Sequence, residues 1–290
     1  MILSPASTLP SLTFWPSLVA VLGYVLVSVW PAPSNQDLTR PPRPLLIVLL
    51  AAWLAQAMAI ALDVLALDSP LPGARFGFAP ALSVTSWLVL AVYALESRRL
   101  GLPAIRRALG LLASVTVVLA WWFPGQSHAQ QASAWAPLHW ITGFASYGLI
   151  GAALLHAALL QHAERRLRAG SGGSGLIPSP TRPTGHALGM PLLRLESLTL
   201  RFVGAGFAML SLTLLLGAVF TAPWKWDHKT VFSVLSWLVF ATLLIGRARF
   251  GWRGRQAIRW LVAGSLLLLL AYVGSRFVLE VVLQRPALPL

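Results

Sequence analysis

The stretch LLIVLLAAWLAQAMAIAL at residues 45–62 contains no charged side chain. At a rise of ~1.5 Å per residue a helix of this length nearly crosses a bilayer's hydrocarbon core of ~30 Å. Only helices and closed barrels satisfy their backbone polar groups in lipid, and the run is far longer than the ~10 alternating residues of a barrel strand. Seven more apolar runs follow the same pattern: about Leu12–Trp30, Phe78–Leu95, Ala108–Phe123, Leu138–Gln161, Phe202–Phe220, Val231–Gly246 and Trp260–Val282. The expected fold is all-α, a polytopic membrane bundle of about eight transmembrane helices. It forms a single integral membrane domain over residues 1–290.

Composition supports this reading. Of the 290 residues, 57% are hydrophobic and 10% charged, where a water-soluble domain carries about 25% charged residues. Lys+Arg number 22 against 8 Asp+Glu. That excess sits in short loops between apolar runs, where it fixes orientation and gives no sign of nucleic acid as a partner; the partner it implies is the lipid bilayer. With no cysteine, the chain supplies no thiolate, disulfide or iron–sulfur ligand. The absence of Lys or Arg before the first run argues for a retained span over a cleaved signal.

Loop charges alternate. The loop after the first run nets +1 (Asp37, Arg40, Arg43), after the second −1 (Asp63, Asp68, Arg75), and after the third +3 (Glu96, Arg98, Arg99, Arg106, Arg107). The fourth is uncharged, the fifth +4, the sixth +1 (Lys225, Asp227, Lys229) and the seventh +5 (Arg247, Arg249, Arg253, Arg255, Arg259). The odd loops are therefore expected in the cytoplasm and both termini on the outer, periplasmic side of an inner membrane. Residues of about 169–190, opening on Ala-Gly-Ser-Gly-Gly-Ser-Gly, are expected to form a flexible cytoplasmic linker.

Trp224-Lys225-Trp226-Asp227-His228-Lys229 falls on the expected outer face. Tryptophan faces suit a flat apolar macrocycle, an imidazole suits a metal, and lysines meet carboxylates. Haem would engage all three. Six tryptophans, Trp121, Trp122, Trp135, Trp140, Trp224 and Trp226, lie at or beside these outer ends, as do His139, at the start of the fifth run, and His128, in a longer and less constrained loop. An interfacial aromatic belt accounts for any one tryptophan, a helix cap for Asp227, and membrane anchoring for Lys225 and Lys229. His139 reads equally as a neutral core histidine or a ligand. His156 lies ~25 Å further along the same helix and cannot share its iron; a bond to a neighbouring helix is its favoured role. His162 is expected to snorkel, and Arg276 to pair with Glu280 one turn on. No P-loop, zinc-protease signature, dinucleotide fingerprint or serine elbow is present, so no hydrolase or nucleotide-driven pump is indicated.

Trp224-x-Trp226-Asp227-x-Lys229, the later Trp237, and Gly251-Trp252-Arg253-Gly254 before a long final run resemble the cytochrome c assembly protein family. These are haem-handling membrane proteins of the CcsA and CcmC type, and the nearest resemblance is to the shorter YpjD or HemX-like branch. It covers about residues 45–285 and is strongest from His139 onward. It implies that His139, Trp224, Trp226, Asp227 and His228 form a haem site on the outer face, with His139 as an iron ligand. It also exposes departures: His228 stands where relatives have proline, Thr230 where they have an acid, and Ile245 and Leu283 where longer members carry histidines. His228 is then the favoured second ligand, ahead of His128. The implied role is haem binding or handling in cytochrome c assembly, more an assembly factor than an enzyme, with apocytochrome c and other maturation proteins as partners. A HemX-like regulator of haem biosynthesis and a small-molecule transporter are the alternatives.

Overall fold

The structure, a computed structural model, describes residues 12–31, 42–64, 74–100, 103–124, 126–128, 136–171, 186–187, 190–220 and 226–283. The apolar runs become the helices α1 (Phe14–Val29), α2 (Arg43–Val64), α3 (Phe78–Leu100), α4 (Pro103–Trp122), α5 (Ala136–Ser171), α6 (Leu192–Phe220), α7 (His228–Phe250) and α8 (Gly254–Leu269). α8 continues through a π-helical turn at Leu270–Gly274, one α turn at Ser275–Phe277 and a second π turn at Val278–Val282. Seven of these helical rods are long and apolar enough to cross a membrane, and α1, with 16 residues, is shorter. The protein is an all-helical, multi-pass membrane protein.

Two short ladders tie loops together. β1 (Ala74–Phe76) pairs antiparallel with β2 (Gln126–His128), and β3 (His186–Ala187) with β4 (Met190–Pro191). His128 lies opposite Ala74 in the first of these, so its backbone is more constrained than a loop reading suggests.

Helix ends run past the apolar runs. α5 continues to Ser171, about 54 Å in all, because Ala, Leu, Gln, Glu and Arg propagate a helix whether or not lipid surrounds it. Ala169, Gly170 and Ser171, expected to open the linker, are its last residues; residues 172–185 lie outside the described ones.

The chain divides into two compact units: Met1–Leu90 with Leu102–Ser133 and Arg276–Leu290, and Ala91–Gly101 with Ala134–Ser275. In the first unit, α1 packs on α2 and α4 around a buried polar network. Tyr24 donates to Gln56 Oε1 at 2.7 Å, and Gln56 Nε2 reaches the Ser83 carbonyl at 3.0 Å and the Ser86 hydroxyl at 3.3 Å. Ser86 in turn meets Thr116 at 2.7 Å. Beside it Trp53 and Trp87 stack at 4.5 Å, each indole N–H donating to the other's backbone carbonyl at 3.1 Å.

In the second unit α5 packs along α6, and α7 on α8, around Ile150, Val203, Leu210, Phe240, Leu243 and Leu261. Hydroxyls and an indole cross between helices. Thr213 donates to Thr142 at 3.0 Å, Trp237 to Ser211 at 2.8 Å, Ser236 to the Gly264 carbonyl at 2.9 Å, and Tyr147 to the Leu268 carbonyl. α7 ends at Gly251, whose φ of 65° is the left-handed cap conformation that glycine adopts without steric cost. There Arg247 pairs with Glu196 at 2.9 Å and donates to the Trp252 carbonyl. The up-and-down order gathers the start of α5, the end of α6 and the start of α7 at the opposite end of the unit.

Candidate functional site

His139 stands in the first turn of α5, after Pro137, which the first turn of a helix tolerates. Its partly buried ring lies against Gly217 of α6: a Cβ at that glycine would stand 3.4 Å from His139 Cε1 and 3.9 Å from Nδ1. Glycine leaves the imidazole its place. The Thr213 backbone lies close enough to act on the ring, though short of hydrogen-bond geometry at Nδ1, and the Lys229 ammonium acts on it as well. Nδ1 itself is buried and has no hydrogen-bond partner. Buried polar atoms are nearly always paired, so an orphan of this kind calls for a partner beyond the protein's own groups, a water, an ion or a bound molecule.

Trp226, Asp227 and His228 follow at the start of α7. Trp226 is exposed, Asp227 is the N-cap and His228 is the first helical residue, also exposed. The Asp227 carboxylate accepts from Thr230 N–H at 2.8 Å, so the cap weighed from sequence is present. Partial burial would raise this carboxyl, but the Thr230 hydrogen bonds and the neighbouring Lys229 outweigh it and hold the group below its ordinary value. A lowered carboxylate contributes stability above its unfolded pKa and loses it as pH falls through the folded one. Asp227→Ala is expected to cost about 1 kcal/mol. In detergent unfolding the gap between wild type and variant should narrow below about pH 4; a gap constant from pH 3 to 7 contradicts the charged cap.

Lys229 lies over the Tyr272 ring, 5.6 Å from its centroid, a cation–π seat that holds the ammonium at this end of the unit. Tyr272 belongs to the first π turn after α8, and such turns recur at functional sites. Gly217 and Tyr272 were not legible as site residues. Nothing in local sequence links Gly217 to His139, while a tyrosine inside an apolar run was the one available signal for Tyr272.

The structure thus brings His139 and Lys229 together, with Trp226, Asp227 and His228 beside Lys229 in the chain. Trp224, Lys225 and Trp135 lie outside the described residues. Trp140 is in the same unit as His139, whereas Trp121 and Trp122 belong to the other. Ile245 and Leu283, the positions at which histidines were weighed from sequence, are 57% and 48% exposed, so neither takes part in a core.

His156 is fully buried and within 2.7 Å of the Ala152 carbonyl of its own helix, with its ring 5.0 Å from Phe202 of α6. It thus holds to its own helix through the carbonyl and meets the neighbouring α6 through its ring. Glu280 keeps a buried Oε1 without a hydrogen-bond partner, although the Arg276 charge acts on it. Among the described residues no three His, Asp or Glu converge as a metal site, so a metal held here would bring most of its own coordination, as haem iron does.

Known proteins bear on this geometry. The sequence profile described as Cytochrome C assembly protein matches residues 46–283. The chain belongs to the cytochrome c assembly protein family. Its relatives include a cytochrome c biogenesis protein CcsA from Prochlorococcus marinus (strain MIT 9515), 30% identical over 159 residues, or 50% of this chain and 51% of that protein. The CcsA of Synechococcus sp. (strain CC9902) is 30% identical over 49% of the chain and 52% of its own length. That of Prochlorococcus marinus (strain MIT 9313) is 27% identical over 67% and 70%. The chain spans about half the length of the first two of these relatives.

Proposed function

We propose that this member of the cytochrome c assembly family binds and hands on haem during cytochrome c biogenesis, at the end of its second unit that carries His139. The observation carrying this reading is the buried, unpartnered Nδ1 of His139 beside a glycine that clears its ring. An imidazole nitrogen without a hydrogen bond keeps a lone pair for iron, reached once haem displaces the groups that cover it. Haem, as cargo, supplies an iron that takes imidazole and two carboxylates that take cations. His139 is the first ligand and His228 the nitrogen available for the second. Trp226, with Trp224, offers aromatic surface to the porphyrin. Lys229 meets a carboxylate, and Asp227 fixes the start of α7 so that His228 and Lys229 keep their places. Family membership supports the role in cytochrome c biogenesis, and the loop charges support an outer-face site in an inner membrane. Apocytochrome c, kept reduced by a separate thiol-handling protein, is the recipient, since this chain has no cysteine of its own.

Deleting the gene in its host should abolish covalent haem on c-type cytochromes while b-type cytochromes and total haem stay within about twofold. Loss of total haem with c-type attachment unimpaired would overturn the reading in favour of a regulator of haem synthesis. Reporter fusions at Asp227 should report the outer face, and fusions at Gly173 the cytoplasm.

A further inference from the structure

The opposite end of the second unit carries a cluster of cations that the haem site does not use. Arg247, Arg249, Arg253, Arg255 and Arg259 lie within thirteen residues around the α7–α8 turn. Arg247 is paired with Glu196. The other four make no ion pair or hydrogen bond with the described residues. The placement of Arg253 and Arg255 opposes local physics: they stand at the N-cap and in the first turn of α8, which has no acidic residue there, and cations at a helix N-terminus meet the positive end of its dipole. Arg255 and Arg259, one turn apart, also repel each other. An anion resting there answers both.

The shape narrows the choice of anion. Arg255, Gln256, Arg259, Trp260 and Ala263 line a shallow, open concavity along α8. Arg255, Arg259 and Ala263 recur every four residues, on one face of α8. The same face continues to Leu266 and Leu270, which are 58% and 43% exposed. Because the turn before α8 separates two membrane-crossing rods, the arginines sit where α8 enters the bilayer and the leucines lie deeper in it. Trp260, stacked on Trp252 at 5.5 Å, is the aromatic neighbour expected at the headgroup level. Guanidinium groups bind phosphate oxygens in a bidentate fashion.

We propose that this face of α8 binds an anionic glycerophospholipid, its phosphate on Arg255 and Arg259 and an acyl chain along Ala263, Leu266 and Leu270. Native mass spectrometry of the full chain in detergent, titrated with phosphatidylglycerol or with phosphatidylcholine of the same acyl chains, tests it. Phosphatidylglycerol should be retained preferentially, and Arg255→Gln with Arg259→Gln should weaken it about tenfold to thirtyfold. Arg249→Gln with Arg253→Gln, outside the concavity, should change it less than about threefold. Ala263→Phe, which keeps every charge but fills the path of the chain, should also weaken it. Equal retention of the two lipids, an equal effect of the two arginine pairs, no effect of Ala263→Phe, or displacement of the lipid by millimolar inorganic phosphate would each overturn the proposal.

Discussion

Gly217→Leu is expected to strip haem from the protein as thoroughly as His139→Ala does, although it leaves every candidate ligand in place. A single methyl at position 217 would already stand in van der Waals contact with the imidazole, 3.4 Å from Cε1. Three further carbons occupy volume that the ring now fills, and the ring must turn away from its present aim. Gly217→Ala, by contrast, should keep most of the haem. Overpacking costs folding stability as well, of order 1–3 kcal/mol, so the quantity to compare is haem per inserted protein. We expect a fall of at least tenfold for Gly217→Leu and His139→Ala, and less than about threefold for Gly217→Ala. A leucine variant holding full haem beside a His139 variant holding none would separate the ligand from the geometry described.

Gln56→Leu is the second large effect, and it concerns the first unit. The side chain is fully buried and links Tyr24 on α1 to Ser83 and Ser86 on α3. Leucine matches its bulk but leaves the Tyr24 hydroxyl and the α3 serines with fewer partners among apolar neighbours. Each interhelical bond in a membrane is worth about 0.6–1.7 kcal/mol, and stranded buried partners add to the cost. A loss of about 2–3 kcal/mol should appear in reversible unfolding in mixed micelles, with about 1 kcal/mol for Tyr24→Phe alone. A Gln56→Leu protein as stable as wild type would show the network to be dispensable.

The membrane-crossing parts of the fold were legible because desolvation of a polar group in lipid is so costly that the apolar runs carry the signal alone. Ends were less so. The fifth run stops at Gln161, where charges begin, but α5 proceeds to Ser171 because the residues beyond are good helix formers. The π turns at Leu270–Gly274 and Val278–Val282 have no composition that marks them. At the site, Asp227 could be read as a cap because its hydrogen bond is to a residue three positions on. The relation of His139 to Gly217, and of Lys229 to Tyr272, depends on which helices pack together, and periodicity does not encode that. His156 shows the same limit: the sequence suggests polar glue between helices, and the carbonyl one turn back in its own helix, 2.7 Å away, is a partner that periodicity does not announce.

The absorption spectrum of the purified full chain, loaded with haem in detergent, tests the central claim most directly. Wild-type protein should show a Soret band of histidine-ligated haem. His139→Ala should lose it, and His228→Ala should show a weaker band at a shifted position, as expected of iron left with one protein ligand. A wild-type protein without a Soret band, or His139→Ala and His228→Ala variants that both keep the wild-type spectrum, would contradict it.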